Sequence, residues 1–453
     1  MTHLWADNAI FYHIYPLGLC GAPDSNDFSQ AVEHRLEKLH KWLDHIQSLG
    51  ANALYLGPLF QSSSHGYDTA DYYQVDRRLG NNDTLARFAE VVHQRGMHLV
   101  LDAVFNHVGR DFWAFKDILM HGESSAYRDW FQNLRFDERS PKGDPFNYES
   151  WQGHYSLVKL NLAHPHVRAH LFDAVGVWMD RFGIDGLRLD AADCIDLDFL
   201  QALNAFTKSK RIDFWLMGEV VHGDYRHWVN AETLDSVTNY ACYKGLYSSL
   251  VDRNYYEIAY NLARQFGPDG MYHDHMLYNF VDNHDVDRVA SKLTDQALLY
   301  PLYLLLFTMP GIPSIYYGSE WGLPGKKGLW SDKTLRPELS LDQMQAQATQ
   351  DHLVNLIGRL ATLRKNSKAL QLGKYLPMHV AHQQFVFQRQ YEGEKLLIAL
   401  NSSARNAEVK FANPNQRETE AVDVLNGQER FTIEGGRLRI DLPPHWGRIL
   451  KIA

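Results

Sequence analysis

The chain has 453 residues, which exceeds one ordinary domain and fits a large barrel with an accessory domain. Its composition is that of a globular protein, with 45% hydrophobic, 22% charged and 13% aromatic residues. The formal charge is −9 at pH 7 and no run of lysine or arginine interrupts it, which argues against nucleic acid and against an anionic membrane as partners.

The cysteines and the N-terminal sequence bear on the compartment. Cys20, Cys194 and Cys242 are too few and too scattered for a disulfide framework and lack the paired spacing of a zinc site, so we predict free buried thiols. The N-terminus has neither the basic region nor the long apolar region of a secretory signal. The most apolar stretch, Ala297 to Met309, contains Pro301 and is too short to span a bilayer. We therefore expect a soluble, cytoplasmic protein.

Apolar runs alternate with helical patterns over most of the chain. The clearest unit starts with Ala53 to Leu56, an apolar run typical of a strand buried on both faces. From Asp83, a candidate N-cap, apolar residues recur at helical spacing until Gly96, where we expect the helix to stop. The segment Met97 to Leu101 then returns to a strand pattern. A strand, a helix and a strand in this order form a crossover unit with parallel strands.

The same alternation predicts six further strands. They are Ile10 to Tyr15, Ile184 to Leu189, Phe214 to Met217, Ser236 to Asn239 (the least regular pattern), Leu277 to Val281 and Ile312 to Tyr317. A helix beginning at Pro165 precedes the second of these. Eight such units predict an α/β fold, a (β/α)8 TIM barrel, in which active sites are built at the carboxyl ends of the strands.

Two segments break this rhythm. Residues 108–160 follow the third strand without sustained periodicity, and so long a connection indicates a small inserted domain or a functional lid. Residues 372–453 alternate as strands do, which predicts a C-terminal antiparallel β-sandwich domain. We assign residues 1–107 and 161–371 to the barrel.

Two polar segments at strand ends suggest acid–base chemistry. Strand parity places Arg188 and Asp190 on one inward face, where the cation would keep the carboxylate ionised, as a nucleophile requires. The alternative is a structural ion pair. Glu219 ends an apolar strand among aromatic residues, which could raise the pKa of its carboxyl group toward that of a general acid.

Two further segments complete the pattern, and each has a structural explanation when taken alone. Asp102 is followed by Asn106 and His107 at the end of the third strand, and His284-Asp285 follows another apolar run. Inward carboxylates at several strand ends would be costly to bury without a purpose. Jointly, these segments favour a catalytic site.

The order of these segments resembles the motif series of the α-amylase superfamily of retaining glycoside hydrolases. The resemblance covers essentially the whole chain, since the inserted segment is similar to the family's domain B and the β tail to its domain C. Two additional segments match, Gly66-Tyr67-Asp68 and Gly311-Ile312-Pro313. The closest branch in motif is that of the neopullulanases and cyclomaltodextrinases, on Lys159-Leu160-Asn161 and on the residues that follow Glu219.

The resemblance implies a double-displacement mechanism. Asp190 would be the nucleophile and Glu219 the acid/base, with their carboxyl groups about 5–5.5 Å apart. Asp285 would stabilise the oxocarbenium-like transition state, and Arg188 would orient Asp190. The residues implied to bind the sugar before the cleaved bond are Tyr67, as a stacking platform, with His107, His284, Asp332 and Arg336.

The resemblance also raises the question of calcium. In the family the residue corresponding to Asp102 supports the site, and the one corresponding to Asn106 often binds a structural calcium. Many members that bind the ion have Lys-His shortly after the nucleophile, where this chain has Asp193-Cys194. We therefore expect Asn106 to be a hydrogen-bonding structural residue rather than a calcium ligand, and the chemistry to need no cofactor.

The expected substrates are α-glucan oligosaccharides. We predict cleavage of α-1,4-glucosidic bonds in maltooligosaccharides or cyclodextrins. A glucanotransferase or another transglycosylase of the superfamily would share the same three carboxylates, and a non-catalytic carbohydrate-binding or partner protein is a remote alternative. The first predicted strand begins near Ala9, which leaves no room for the extra N-terminal domain of the branch, so the oligomeric state stays open.

Overall fold

A sheet of eight parallel strands forms the centre of the protein, whose computed structural model describes residues 4–329, 331–347, 351–412 and 418–452. The strands are β1 (Phe11–Ile14), β2 (Ala53–Leu56), β3 (His98–Ala103), β4 (Gly186–Leu189), β5 (Trp215–Gly218), β6 (Ser236–Val237), β7 (Tyr278–Asn279) and β8 (Ile312–Tyr316). Their order is β6-β5-β4-β3-β2-β1-β8-β7. A parallel bridge between Thr238 and Tyr278 joins the two edges, so the sheet is a nearly closed barrel. The predicted fold is confirmed.

Helices cover the outside of the barrel because their apolar faces pack on the buried strands. Their bounds are Pro16–Leu19, Trp42–Ser48, Asn82–Gln94, Pro165–Phe182, Leu197–Lys210, Tyr240–Val251, Tyr256–Phe266, Val289–Lys292, Leu299–Thr308, Leu341–Gln347, Asp351–Lys365 and Lys368–Leu372. The helix predicted after β2 begins one residue before Asp83 and is capped by Asn81, whose side chain accepts from Thr84 N, so the predicted N-cap was wrong. Pro165 begins its helix as predicted, since its missing N–H costs nothing there.

The inserted segment is tied to the barrel by backbone pairing. A three-stranded antiparallel sheet joins His107–Gly109, Ser150–Trp151 and His154–Lys159, and a helix lies at Trp113–His121. A separate hairpin, Phe60–Ser62 with Thr69–Val75, follows β2. Because His107 pairs with Lys159, the end of β3 and the inserted sheet are continuous in space. The domain boundaries themselves stay predictions.

The C-terminal part is an antiparallel sheet of eight strands. They are β9 (Lys374–Val380), β10 (Gln384–Tyr391), β11 (Glu394–Asn401), β12 (Ala407–Ala412), β13 (Glu420–Asp423), β14 (Arg430–Glu434), β15 (Arg437–Leu442) and β16 (Trp446–Ile452), in the order β9-β10-β11-β16-β13-β14-β15-β12. Apolar residues from both halves of this order, such as Leu397 and Leu438, share one core. A cavity of about 800 Å³ is lined by residues of both this sheet and the barrel, and none of the predicted site residues lines it.

Two sequence predictions concern the surface. In the part of the chain that the structure describes, no helix has the length and apolar character needed to cross a membrane. All three cysteines are free, and Cys20 and Cys242 are buried as predicted. Cys194 is exposed, contrary to the prediction, because it lies on a short 3-10 turn that follows β4 at the open end of the barrel.

Candidate active site

The predicted site residues meet at the carboxyl ends of the barrel strands. Asp102 and Arg188 lie within β3 and β4, Asp190 follows β4 directly, and Glu219 follows β5. Strands β4 and β5 pair in register with Arg188 opposite Met217, which brings the two strand ends side by side. Successive residues of a strand point to opposite faces, so Arg188 and Asp190 point inward together, as parity predicted.

Arg188 is the centre of this cluster. Its Nη1 donates to both oxygens of Asp102, at 2.9 and 3.0 Å, and to Asp190 Oδ1 at 2.9 Å. Its Nη2 lies 2.9 Å from Glu219 Oε2. The side chain of Arg188 is 3% exposed, so these contacts form in a weakly solvated environment. One cation thus contacts three carboxyl groups.

Burial dominates the acid–base state of Asp190 and Glu219. Loss of hydration raises the pKa of Asp190 well above its ordinary value, although Arg188 opposes this rise. Burial likewise raises the pKa of Glu219, again against Arg188. We predicted that Arg188 would keep Asp190 ionised; the contact is present, but its effect on the pKa of Asp190 is smaller than that of burial. Because the two groups share one cation, they titrate as a pair.

Glu219 has two differently placed carboxyl oxygens. Oε2 accepts a hydrogen bond from Ala191 N at 3.1 Å besides its contact with Arg188. Ala191 adopts the left-handed conformation, with φ 46° and ψ 44°, which is strained for a residue with a side chain. This turn directs the backbone N–H toward Glu219. Oε1 has a looser neighbour, the hydroxyl of Tyr240 at 3.5 Å.

Asp285 has a different set of partners. Arg336 Nη2 donates to Asp285 Oδ1 at 2.9 Å, and His284 Nε2 lies 2.9 Å from Oδ2. Although burial alone would raise it, His284, Arg336 and Arg188 together lower the pKa of Asp285, which therefore stays ionised. Arg336 also donates from Nε to His284 O at 2.9 Å and contacts Asp332 at 3.4 Å. The predicted Asp332–Arg336 pair is thus adjacent to the predicted transition-state stabiliser.

Tyr67 connects the two clusters. Its hydroxyl donates to Asp102 Oδ2 at 2.9 Å and lies 2.5 Å from His284 Nε2. Its ring stacks on that of His284, with centroids 5.4 Å apart and planes 11° apart. The predicted platform therefore has one face on the imidazole of His284.

His107 and Asn106 occupy the junction with the inserted sheet. His107 Nε2 lies 3.9 Å from Asp190 Oδ2, and burial lowers the pKa of His107 to about 3, so the imidazole is neutral. Asn106 Nδ2 donates to His107 Nδ1 at 3.1 Å, and its buried Oδ1 has no hydrogen-bond partner within the described residues.

That Asn106 is a structural residue rather than a calcium ligand stays a prediction. Calcium takes six to eight oxygen ligands. Within the residues that the structure describes, no group of three or more His, Cys, Asp or Glu side chains could hold a metal ion. The buried Oδ1 of Asn106, which has no hydrogen-bond partner within the described residues, would supply a single oxygen ligand.

Several site residues were not singled out from the sequence. Tyr55 OH donates to Asp102 Oδ2 at 2.9 Å, and Arg336 lies over the ring of Tyr15 at 4.7 Å. Tyr240 accepts from Asn283 Nδ2 at 3.0 Å as well as facing Glu219. Tyr15 ends one predicted strand and Tyr240 directly follows another, so the rule that active sites gather at the carboxyl ends could have found them.

Comparison with known proteins identifies the family of this site. The family profile described as alpha amylase, catalytic domain, matches residues 35–355, and the one described as maltogenic amylase, C-terminal domain, matches residues 377–449. Neopullulanase 2 of Thermoactinomyces vulgaris is 30% identical over 474 residues, spanning 99% of this chain and 78% of that protein. A cyclomaltodextrinase of Bacillus sp is 30% identical over 417 residues, spanning 88% and 73%.

Solved structures agree. The cyclic α-maltosyl-(1→6)-maltose hydrolase of Arthrobacter globiformis has a similar fold, with a TM-score of 0.81 at 26% identity over 100% of both chains. The catalytic-domain match covers well over half of the chain and contains Asp190, Glu219 and Asp285. The protein therefore belongs to the α-amylase family of glycoside hydrolases.

Proposed function

We propose that this protein hydrolyses α-1,4-glucosidic bonds of maltooligosaccharides and cyclodextrins with retention of configuration. The observation that carries the proposal is that the two terminal nitrogens of Arg188 contact Asp190 Oδ1 and Glu219 Oε2. The second oxygen of each carboxyl group does not contact Arg188 and is available to react. The named relatives, a cyclomaltodextrinase and a neopullulanase, support the substrate class.

In the first step Asp190 is the nucleophile. Its Oδ1 is held by Arg188, so Oδ2, which faces His107, attacks the anomeric carbon. The bond from that carbon to the glycosidic oxygen breaks, and the oxygen takes a proton from Glu219. Oε1 is the oxygen of Glu219 that carries this proton, because Oε2 accepts from Ala191 N and Arg188. The products are a covalent glycosyl-enzyme and a shortened glucan.

In the second step the roles of Glu219 reverse. Water takes the place of the leaving sugar, Glu219 Oε1 removes its proton, and the water oxygen attacks the anomeric carbon. The bond to Asp190 breaks, which restores the free carboxylate and the protonated Glu219. No cofactor enters either step, because both proton transfers use Glu219.

Burial raises the pKa of both Asp190 and Glu219, so the pair keeps a proton, and the proposed sequence requires that proton on Glu219. The raised pKa of Glu219 favours the protonated acid that the first step consumes. Asp285 stays ionised next to Arg336, so its negative charge is available to stabilise a positively charged sugar ring in the transition state. His284 and Tyr67 line the same side and provide hydrogen-bonding and stacking contacts for that ring.

The test is a product time course with maltoheptaose, γ-cyclodextrin, pullulan and sucrose offered separately. We expect rapid breakdown of the α-1,4 substrates to short maltooligosaccharides, with sucrose untouched, and the α-anomer as the first product by NMR. Glu219→Gln is expected to lose nearly all turnover of natural substrates while still binding them. A first product in the β configuration would contradict the retaining mechanism.

The alternative outcomes are distinguishable. Accumulation of products longer than the substrate would assign the protein to the glucanotransferases, which use the same carboxylates with a sugar in place of water. No turnover of any α-glucan, together with unchanged glucan affinity in Glu219→Gln, would favour a non-catalytic binding protein instead.

A further inference from the structure

Arg336 lies in a segment without helix or strand that follows β8 in sequence. Its side chain donates from Nη2 to Asp285 Oδ1 and from Nε to His284 O, both at 2.9 Å. Its backbone oxygen lies so close to Gly18 that a side chain at that glycine would collide with it. Because hydrogen bonds weaken steeply with distance and angle, both bonds form only while the backbone of Arg336 stays in one position. The supports of this segment therefore bear on Asp285.

Two side chains bind the carbonyl group directly before Arg336. Arg288 Nη2 donates to Leu335 O at 3.0 Å, and the hydroxyl of Tyr316, the last residue of β8, donates to the same oxygen at 2.9 Å. A carbonyl oxygen has two lone pairs, so these two donors occupy it fully. The guanidinium of Arg288 also lies 4.5 Å from the centre of the Tyr316 ring. The two donors thus pack against each other and fix the peptide group that precedes Arg336.

Arg288 connects this peptide group to the segment that carries Asp285. It follows Asp285 by three residues and is fully buried. Its Nη1 donates to Tyr317 O at 2.8 Å and to Ser319 Oγ at 3.2 Å, and its backbone N–H donates to Gly325 O at 2.9 Å. One residue thus joins the end of β8 to the two segments that supply the Asp285 contact.

The hydrogen bonds of Arg288 indicate what its guanidinium contributes. In the part of the chain that the structure describes, every hydrogen bond of this side chain goes to a neutral oxygen, and its Nε has no partner. Burying a cation among neutral groups is costly, and an apolar side chain of similar volume is often tolerated as well or better. An apolar residue cannot supply the directed bonds to Tyr317 O and Leu335 O. These bonds, rather than charge neutralisation, are therefore the contribution of the guanidinium.

We propose that Arg288 is a positioning residue for catalysis, which fixes the segment of Arg336 relative to that of Asp285 and so keeps Arg336 on the Asp285 carboxylate. The proposal rests on the proposed function, because it takes Asp285 as the group that stabilises the transition state. Arg288 is buried behind this contact and does not touch the sugar. Its loss leaves Arg336 free to move away from Asp285, and a carboxylate that is not held in place stabilises the transition state less.

The test is a double-mutant cycle on kcat with maltoheptaose as the substrate. We expect Arg336→Met to lower kcat about 100-fold and Arg288→Met to lower it about 30-fold, with KM of the latter within about threefold of the wild-type value. Since Arg288 acts through Arg336, the double variant should lose about 100-fold, no more than Arg336→Met alone. Independent effects would instead multiply to about 3000-fold, and that result would overturn the proposal. Full activity of Arg288→Met would overturn it too.

A matched variant separates positioning from a general loss of stability. Arg364 is another buried arginine whose bonds go to backbone carbonyls, those of Phe307 and Gly311, at the amino-terminal end of β8. Arg364→Met should lower the free energy of unfolding in urea about as much as Arg288→Met, because similar bonds are lost, but lower kcat less than about threefold. A loss of kcat in Arg364→Met as large as that in Arg288→Met would overturn the proposal.

A milder variant serves if Arg288→Met does not fold. Tyr316→Phe removes only the hydroxyl that shares Leu335 O with Arg288. We expect it to lower kcat about threefold in the wild-type background and not at all in the Arg336→Met background, where the contact with Asp285 is already lost. The same loss in both backgrounds would contradict positioning through Arg336.

A second readout needs no substrate and distinguishes this inference from the proposed function. In protein with isotope-labelled arginine, the Nε–H signal that disappears in Arg336→Met reports the bond from Arg336 to His284 O. In Arg288→Met this proton should exchange with water at least about tenfold faster. An unchanged exchange rate would overturn the inference, whether or not the protein is active. Faster exchange together with a wild type that cleaves no α-glucan would support the positioning of Arg336 and refute the proposed function.

Discussion

Removing a single hydroxyl group, by Tyr67→Phe, tests how the two halves of the site are joined. The hydroxyl of Tyr67 donates to Asp102 Oδ2 at 2.9 Å and lies 2.5 Å from His284 Nε2. The ring, which stacks on His284, is retained in phenylalanine. Substrate stacking should therefore persist, while the connection from Asp102 to His284 is lost.

The expected loss follows from these contacts. A hydrogen bond to a charged group contributes about 1.5–3 kcal/mol. In the variant, Asp102 Oδ2 still accepts hydrogen bonds from Tyr55 and Arg188. The free-energy loss at Asp102 should therefore lie in the lower part of that range. His284 loses a partner next to Asp285, which adds to the loss. We expect kcat to fall about 10- to 150-fold, with KM changed less than about threefold.

Tyr55→Phe is the matched control. Tyr55 donates to the same oxygen of Asp102 at 2.9 Å, but its ring packs behind the site on His13 and does not contact His284. It should lower kcat by at most about tenfold, through the bond to Asp102 alone, because His284 keeps its partner. Initial rates on maltoheptaose for both variants measure the difference. Equal losses in the two variants would refute the reasoning, because they would place the whole effect in Asp102, and full activity of Tyr67→Phe would refute it as well.

Four further predictions concern charge. Arg188→Lys keeps a cation that cannot reach three carboxyl groups, so kcat/KM should fall at least about 100-fold, and a loss below tenfold in initial rates would contradict the role of the guanidinium fork. Burial raises the pKa of Asp190, so the folded protein loses stability as the pH rises from the unfolded-state pKa of about 3.9 through the raised folded-state pKa. Calorimetry should therefore find Asp190→Asn about 0.5–2 kcal/mol more stable than the wild type at pH 7 and as stable as the wild type at pH 3. The activity of the wild type should fall as the pH rises through the raised pKa of Glu219, because the acid is then deprotonated. The pH–rate profile of the first step of Glu219→Gln on α-maltosyl fluoride should lack this alkaline fall. If the fall persists in the variant, another group causes it. Arg389 is fully buried and donates to Thr308 O and Gly373 O, so Arg389→Met should lower the free energy of unfolding in urea by at least about 2 kcal/mol. The control is Arg439, which is exposed and ion-paired; Arg439→Met should lower it by less than about 1 kcal/mol.

Local rules of sequence account for much of the fold. Alternation of apolar and helical segments located every barrel strand, including the two-residue β6, and proline placed the start of the helix at Pro165. These rules depend on neighbouring residues only, which is why they could be applied in advance. The N-cap prediction failed because Asn81 and Asp83 compete within three residues, and the geometry of the preceding turn decides between them.

The contacts between strands could be anticipated only in part. Parity along β4 predicted that Arg188 and Asp190 point the same way, since that depends on one strand. It did not predict that Glu219 contacts the same guanidinium, because this depends on the register between β4 and β5. Nor did it predict that Arg336 lies against Asp285 and Tyr15, which are far apart in sequence.

The distribution of cations among the carboxyl groups explains how one site can hold both an acid and a permanent anion. Arg188 is shared by three carboxyl groups, Asp102, Asp190 and Glu219, and all are buried or nearly so. Full ionisation would leave two uncompensated negative charges in a weakly solvated cleft, so the pair formed by Asp190 and Glu219 retains a proton. Asp285, in contrast, contacts Arg336 and the adjacent His284, which together with Arg188 lower its pKa, so it stays ionised. The proton that the proposed first step requires is therefore favoured by burial and by the sharing of one guanidinium among three carboxyl groups, and a second cation next to Glu219 would lower the pKa of that carboxyl group.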